Sequence, residues 1–160
     1  MSGIPEQSVL SLVSALSDAI GQPIGFDDRG ECVMDFDGMG RRGGYTGAAA
    51  VELVVSRSPD AATLTVRSTL TEAGHCVDLP LLERALGLNY THMPAGHSIA
   101  LDPVSRHLVL IYPVDAANAS PDEFLRAVAG FLELVPQLRD ELVPVPAASA
   151  IREMIMGVPA

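Results

Sequence analysis

The spacing of apolar residues changes from helical to strand-like and back along this chain, and this change most constrains the fold. Near the N-terminus, apolar side chains recur at helical intervals: Val9, Val13, Leu16 and Ile20. Because these intervals place them on one face, they predict an amphipathic helix from Pro5 to Ile20, ended by Gly21. Leu10 and Leu12 widen the apolar stripe beyond what one packing face needs.

Several later segments have the patterns of strands. They are residues 23–36 with a turn at 27–30, then 49–56, 62–70, 98–101 and 107–113. In the segment 62–70, Leu64, Val66 and Leu70 alternate with polar side chains, which predicts one buried and one solvated face. The residues 37–47 are rich in Gly and include Arg41-Arg42, so we expect a flexible loop there.

Two further helices are predicted by their end signals. The first begins with Asp78 as the N-cap and stops at Gly87. The second begins with a capping box formed by Ser120 and Glu123, and its apolar face is Phe124, Val128, Phe131 and Val135. Pro136 lies inside this pattern and predicts a kink or a break.

This order of elements favours one fold class. Helices are separated by runs of strands, so we predict an α+β fold with three helices and an antiparallel sheet in the order α-β-β-β-α-β-β-α. The 160 residues suit one domain. We assign it to residues 1–143 and describe 144–160 as a Pro/Ala-rich tail.

Composition and charge exclude several classes of function. The net charge of −10 makes nucleic acid and anionic membranes poor partners. The chain has no Lys, which excludes Schiff-base chemistry and a phosphate-loop lysine. There is no secretion signal and no apolar run long enough to span a membrane, so we expect a cytoplasmic protein whose two cysteines remain reduced.

No arrangement of reactive residues matches a known catalytic or metal-binding pattern. Cys32, His75, Cys76, His92 and His97 lack the spacing of a zinc site, and a Cys–His nucleophile pair has no orienting residue that can be assigned. Two carboxylates two residues apart, Asp35 and Asp37, could share a cation, although a solvated strand edge is the simpler interpretation. We therefore predict no catalytic residue, metal or cofactor, and a binding protein in preference to an enzyme.

A series of positions follows a recognisable order from the central helix to the last one. They are Leu81, Leu82, Leu86, Asn89, Ala100-Leu101-Asp102, Leu108-Val109-Leu110, Phe124, Phe131, Leu132 and Glu133. With these positions, the stretch from Val9 to Leu142 resembles the class I type III secretion chaperones, the Tir-chaperone-like family. Two features depart from the family pattern. Ser105-Arg106 stands where a Gly turn is usual, and Pro136 interrupts the last helix early.

The resemblance implies a homodimer that binds secreted effector proteins. In that family the short central helix and the following strand form the dimer interface, and the matching residues are Leu82, Leu86, Ile99 and Leu101. Apolar patches on the first helix and the sheet, together with strand addition at a sheet edge, bind the effector; the candidates are Leu10, Leu12, Val13, Val33 and Phe36. Ordinary core packing is the alternative role for every one of these residues.

The resemblance also implies a mode of action. The N-terminal segment of an effector would be held extended, soluble and competent for secretion, without ATP hydrolysis by the chaperone, and the secretion-system ATPase is a further possible partner. Two alternatives remain open from the sequence: a small enzyme or ligand-binding domain with a Cys–His site, and a regulatory adaptor with no role in secretion.

Overall fold

The computed structural model describes residues 4–36, 51–58, 62–71, 77–91 and 93–142. Over these residues the elements are α1 (Ile4–Ile20), β1 (Glu31–Phe36), β2 (Val51–Arg57), β3 (Thr63–Thr69), α2 (Leu79–Thr91), β4 (Ser98–Leu101), β5 (Leu108–Asp115) and α3 (Pro121–Leu142). The predicted order and the α+β class are confirmed. The predicted loop 37–47 and the tail 144–160 lie outside the described residues.

The strands form an antiparallel sheet in the order β1-β2-β3-β5-β4. One row of side chains crosses it from Cys32 through Val55 and Val66 to Tyr112. This row belongs to the inner face, where strand residues join the core cluster. In β3 the predicted alternation is confirmed, with Leu64 and Val66 buried and their polar neighbours half-buried.

The helices supply the other side of the core. α1 contacts α3, α3 also contacts β2 and β5, and α2 contacts β4 and α3. The predicted stripe on α1 is buried at Val9, Val13 and Leu16. On α3, the four predicted apolar residues are all buried. One layer of helices therefore covers the inner face of the sheet.

One helix end differs from its prediction. α2 continues through Gly87 to Thr91 because its last turn is held by packing: Leu88 is buried and joins the core cluster. The cost of about 1 kcal/mol for Gly inside a helix is offset by that burial. In α3, the break that was one of the two outcomes predicted at Pro136 is absent, since the helix runs on to Leu142.

The last turn of α3 explains why Pro136 is tolerated. Leu138 and Leu142 lie beyond the proline and are both buried. In addition, Arg139 Nη2 donates a hydrogen bond of 2.7 Å to the Thr69 carbonyl on β3. These contacts hold the turn against the sheet although the proline has removed one hydrogen bond of the helix.

The predicted capping box at the start of α3 is confirmed. Glu123 Oε2 accepts hydrogen bonds from the Ser120 hydroxyl at 2.7 Å and the Ser120 N–H at 2.9 Å. The Glu123 N–H in turn donates to Ser120 Oγ at 3.3 Å. The bond from the Ser120 hydroxyl is the main reason that the pKa of Glu123 lies below its usual value.

Arg106 explains the unusual turn between β4 and β5. It has a φ of 61°, in the left-handed region that favours Gly. Its N–H donates to the Asp102 carbonyl at 2.9 Å, and the Asp102 carboxylate accepts from the Val104 N–H at 2.9 Å and the Ser105 hydroxyl at 2.8 Å. The turn thus keeps the geometry of a Gly turn without a Gly, stabilised by the Asp102 side chain.

We expect Arg106→Gly to stabilise the protein by about 0.5–1 kcal/mol. Relief of left-handed strain outweighs the added freedom of Gly in the unfolded chain. Urea unfolding of the variant and the parent measures the difference. Val104→Gly is the matched control in the same turn; because Val104 has no positive φ, we expect no gain from it. An equal gain from both substitutions would contradict the explanation.

Asn89 connects α2 to the edge of the sheet. Its Nδ2 donates to the Ile99 carbonyl at 2.9 Å, and its Oδ1 accepts from the Ile99 N–H at 2.7 Å. One side chain therefore satisfies both backbone groups that Ile99 points away from β5. This is the role that a neighbouring strand would otherwise have.

We expect Asn89→Ala to lower the free energy of unfolding by about 1–3 kcal/mol, because Ile99 would lose both partners at a partly buried site. Glu83→Ala, at an exposed position on the same helix, should change it by less than about 0.5 kcal/mol. Urea unfolding of the two variants provides the comparison. Equal effects would show that the Asn89 bonds add nothing to stability.

Candidate functional site

The candidate effector-binding residues on α1 fall into two groups. Leu10 is 55% exposed and points away from the core. Leu12, at 1% exposure, and Val13 are buried inside the described part of the chain. Leu12 therefore widens the core stripe, and Leu10 is the residue of this set that α1 presents to solvent.

On β1, Val33 is the accessible candidate. It is 54% exposed and pairs with Val54 of β2 on the outer face of the sheet. Phe36 is half-buried and packs against the core cluster. The outer face also carries an ion pair, with Arg67 Nη2 at 2.7 Å from Glu31 Oε1. Being partly exposed, that pair adds little stability, but it fixes a polar border beside Val33.

β1 also offers a strand edge. In the part of the chain that the structure describes, β2 is its one neighbour in the sheet. The Arg57 N–H donates to the Gly30 carbonyl at 2.9 Å, so by alternation the outward backbone groups of β1 are those of Glu31, Val33 and Asp35. Asp27 takes both outward groups of Glu31, its N–H donating to the carbonyl and its Oδ1 accepting from the N–H.

The candidate dimer residues also differ in exposure. Leu86 is 65% exposed and Leu82 is half-buried, both on α2. Ile99 is buried, and Leu101 is half-buried against the core cluster. Of the four candidates, the two on α2 are therefore the more accessible, and the two on β4 are covered to a greater extent.

Two exposed residues of α2 were missed by the sequence analysis. Leu79 and Tyr90 are exposed, the latter at 91%, and they continue the line of Leu82 and Leu86 at helical spacing. The opposite side of the same helix buries Leu81, Ala85 and Leu88. The signal was present in the sequence, because apolar residues occupy both sides of α2. We call the set Leu79, Leu82, Leu86 and Tyr90 the α2 stripe.

The reactive residues that the structure describes are not gathered into a metal site. Cys32 is buried in the core, and burial is the main reason that its pKa is raised, which makes it a poor nucleophile. His75, Cys76, His92 and Asp37 lie outside the described residues. Within the described ranges, no group of three or more His, Cys, Asp or Glu could hold a metal ion.

Of the helices in the described ranges, none combines the length and apolar character needed to cross a bilayer.

Several solved structures share the fold of this chain. One is a chain of the HopA1–SchA chaperone–effector complex. The match covers 86% of this chain and 98% of that chain, at 22% sequence identity and a TM-score of 0.62. A chain of the ExsC–ExsE complex covers 89%, with 97% of its own length, 14% identity and a TM-score of 0.66. At these identities the likeness shows the fold.

A third solved structure is similar to the chain over nearly the same extent. It belongs to the ExoU–SpcU complex of the Pseudomonas aeruginosa type III secretion system, and it covers 83% of this chain and 98% of its own at 18% identity and a TM-score of 0.55. No curated protein sequence matches the chain.

The sequence profile of one family matches most of the chain. It describes the Tir chaperone protein (CesT) family and matches residues 11–139, which contain most of α1 and α3 and every element between them. The resemblance inferred from the residues is thereby confirmed, and the chain belongs to the Tir chaperone protein (CesT) family of type III secretion chaperones.

Proposed function

We propose that this chaperone acts as a homodimer that binds the N-terminal segment of one or more secreted effectors in an extended form. The observation that carries the proposal is where its apolar residues remain exposed. Although the core is well filled, large apolar side chains stay accessible on α2, on α1 and on β1. Several exposed apolar side chains along one side of a helix, as on α2, indicate an interaction surface.

The α2 stripe is the proposed dimer interface. A short helix that buries one side in its own core and exposes Leu and Tyr on the other can remove that surface from water by meeting its copy across a two-fold axis. Ile99 and Leu101 would support the interface from beneath and do not need to be exposed for that role. The polar link from Asn89 to Ile99 keeps α2 in a fixed position on β4.

The proposed effector-binding surface has two parts, which are Leu10 on the solvent side of α1, and Val33 with the outward edge of β1 on the other side of the sheet. An extended polypeptide could pair with the outward groups of Val33 and Asp35 and place apolar side chains against the two exposed residues. Leu12, Val13 and Phe36 would hold this surface in shape from within. The solved complexes of HopA1 with SchA and of ExoU with SpcU are precedents for a partner of this kind.

The remaining parts of the proposal concern the cellular setting. We propose that the chaperone works in the cytoplasm, keeps its effector soluble and competent for secretion, and delivers it to the secretion-system ATPase. Expression of the tagged chain in its own bacterium, followed by mass spectrometry of what co-purifies, tests this directly. Recovery of a protein held through its N-terminal segment supports the proposal, and recovery of the chain alone contradicts it.

We expect Leu86→Asp to convert a dimer into a monomer. Each subunit loses about 1.5–3 kcal/mol of free energy from apolar burial. Because the substituted residue occurs twice in a two-fold interface, the loss is doubled, and the dissociation constant should rise roughly 10²–10⁴-fold. Light scattering over a range of concentrations measures the change. Leu10→Asp is the control, since Leu10 is also a largely exposed Leu and should leave the dimer intact. A parent chain that is monomeric at micromolar concentration contradicts this part of the proposal.

For effector binding, we expect substitutions on α1 and β1 to be the disruptive ones. Leu10→Asp and Val33→Asp should each weaken binding of the co-purified protein's N-terminal segment by roughly 10–100-fold, because each removes an apolar contact and places a charge in it. Calorimetric titration with that segment measures the affinity. Val104→Asp, another exposed apolar position but in the β4–β5 turn, should bind like the parent. Unchanged affinity in both α1 and β1 variants would place the effector elsewhere.

A further inference from the structure

Two carboxylates face each other on β1 and β2, beside the outward edge of β1. Asp35 pairs with Glu52, two residues along from the pair of Val33 with Val54, so both carboxylates lie on the outer face of the sheet. Both side chains are exposed. Because the backbone groups of Asp35 point away from β2, this is a pair without hydrogen bonds, whose Cα atoms come within about 4.5 Å. Like charges in such a pair destabilise a sheet.

The other acidic residue on this face of β1 has partners that Asp35 lacks. Glu31 Oε1 lies 2.7 Å from Arg67 Nη2, and the outward backbone groups of Glu31 are bonded to Asp27. Within the described ranges, neither carboxylate of the pair formed by Asp35 and Glu52 has a cation or a hydrogen-bond donor beside it. The chain therefore satisfies charge and backbone together at the Glu31 end of this edge and leaves both open at the Asp35 end.

We propose that Asp35, with Glu52 beside it, selects effector segments that carry an Arg or Lys two residues from an apolar residue. This inference rests on the proposed addition of an extended segment at β1. The outward residues of the open length of β1 are Val33 and Asp35. Residues directly opposite each other on paired strands share a face, with Cβ atoms about 4.5–5.5 Å apart. An apolar residue of the segment would meet Val33, and the residue two positions away would meet Asp35.

Charge decides which residue fits the second position. An acidic residue there would add a third negative charge to the same face, and an aliphatic one would leave the repulsion between the two carboxylates in place. An Arg or Lys side chain is long enough to approach Asp35 on the adjacent strand and Glu52 on the next, since strands lie about 4.8 Å apart. An exposed ion pair alone contributes little, but this cation would also relieve a repulsion that the free chain carries.

The stability of the free chain gives the first test. Asp35→Asn and Glu52→Gln each remove one charge at nearly constant size, so each should shift the midpoint of urea unfolding to a higher concentration. Glu133→Gln, at an exposed position in the middle of α3, should leave the midpoint unchanged. All variants are compared at one protein concentration because dimerisation affects apparent stability. An unchanged or lower midpoint in both β-strand variants overturns the proposal.

Binding of the effector gives the second test, with the N-terminal segment of the co-purified protein as the probe. We expect Asp35→Asn to weaken binding roughly 3–5-fold and Asp35→Lys to weaken it roughly tenfold in calorimetric titration. Glu133→Lys is the matched control, because it changes the net charge by the same amount at an exposed site on α3. Equal losses in the two Lys variants would reveal only a long-range effect of net charge and would overturn the proposal.

A charge swap identifies the contact directly. Each Arg and Lys of the segment is replaced by Glu in turn; one replacement should weaken binding to the parent and bind Asp35→Lys roughly tenfold better than the parent. That residue should lie two positions from an apolar residue of the segment. If no replacement recovers affinity, the proposal is overturned.

The binding data also separate this proposal from the proposed function. If Val33→Asp weakens binding and the Asp35 variants do not, only the selection by Asp35 is wrong. If none of these variants weakens binding, or if no effector co-purifies, then addition at β1 is wrong and the selection is wrong with it.

Discussion

Burial of the inner face of the sheet beneath α1 and α3 is the constraint on which the rest of the structure depends. The row that crosses the sheet from Cys32 through Val55 and Val66 to Tyr112 packs in the core cluster, and the helices meet it with Leu, Val and Phe side chains. Packing at this interface is strong enough to override local signals. α3 continues beyond Pro136 and α2 continues beyond Gly87, because the turn that follows each of these residues contains a buried Leu.

These overrides show how far the sequence could predict the fold. Apolar periodicity and cap chemistry predicted the element order, the start of α2 at Asp78 and the capping box of α3 because those signals are local. The end of α2 was mispredicted, and the break considered at Pro136 is absent, because both outcomes depend on tertiary packing. Leu88 joins the core cluster, and Arg139 of α3 bonds to Thr69 on β3, 70 residues away in sequence. Residues 23–30 were expected to contain an extended piece, and the described strand begins at Glu31, after the Asp27 turn.

The candidate site could be predicted only in part, for a related reason. Spacing shows that α1 has surplus apolar residues, but it does not show which are surplus. Tertiary packing makes Leu10 the exposed one and Leu12 the buried one. On α2, the sequence showed apolar residues on both sides of the helix. Which side is exposed, with Leu79 and Tyr90, depends on where α2 packs against β4, and the sequence does not show that. The Asn89 contact with Ile99 could not be read from spacing, since it joins two elements.

The two edges of the sheet differ in a way that would direct a binding polypeptide. At β4, Asn89 occupies the outward groups of Ile99, and the neighbouring α2 carries the proposed dimer stripe. At β1, Asp27 occupies Glu31 alone, and Val33 and Asp35 follow with outward backbone groups. Under the proposed function, a polypeptide would therefore add as a strand at β1, beside the exposed Val33. Under the proposed function, one edge of each subunit would face its copy while the other would remain open to the effector.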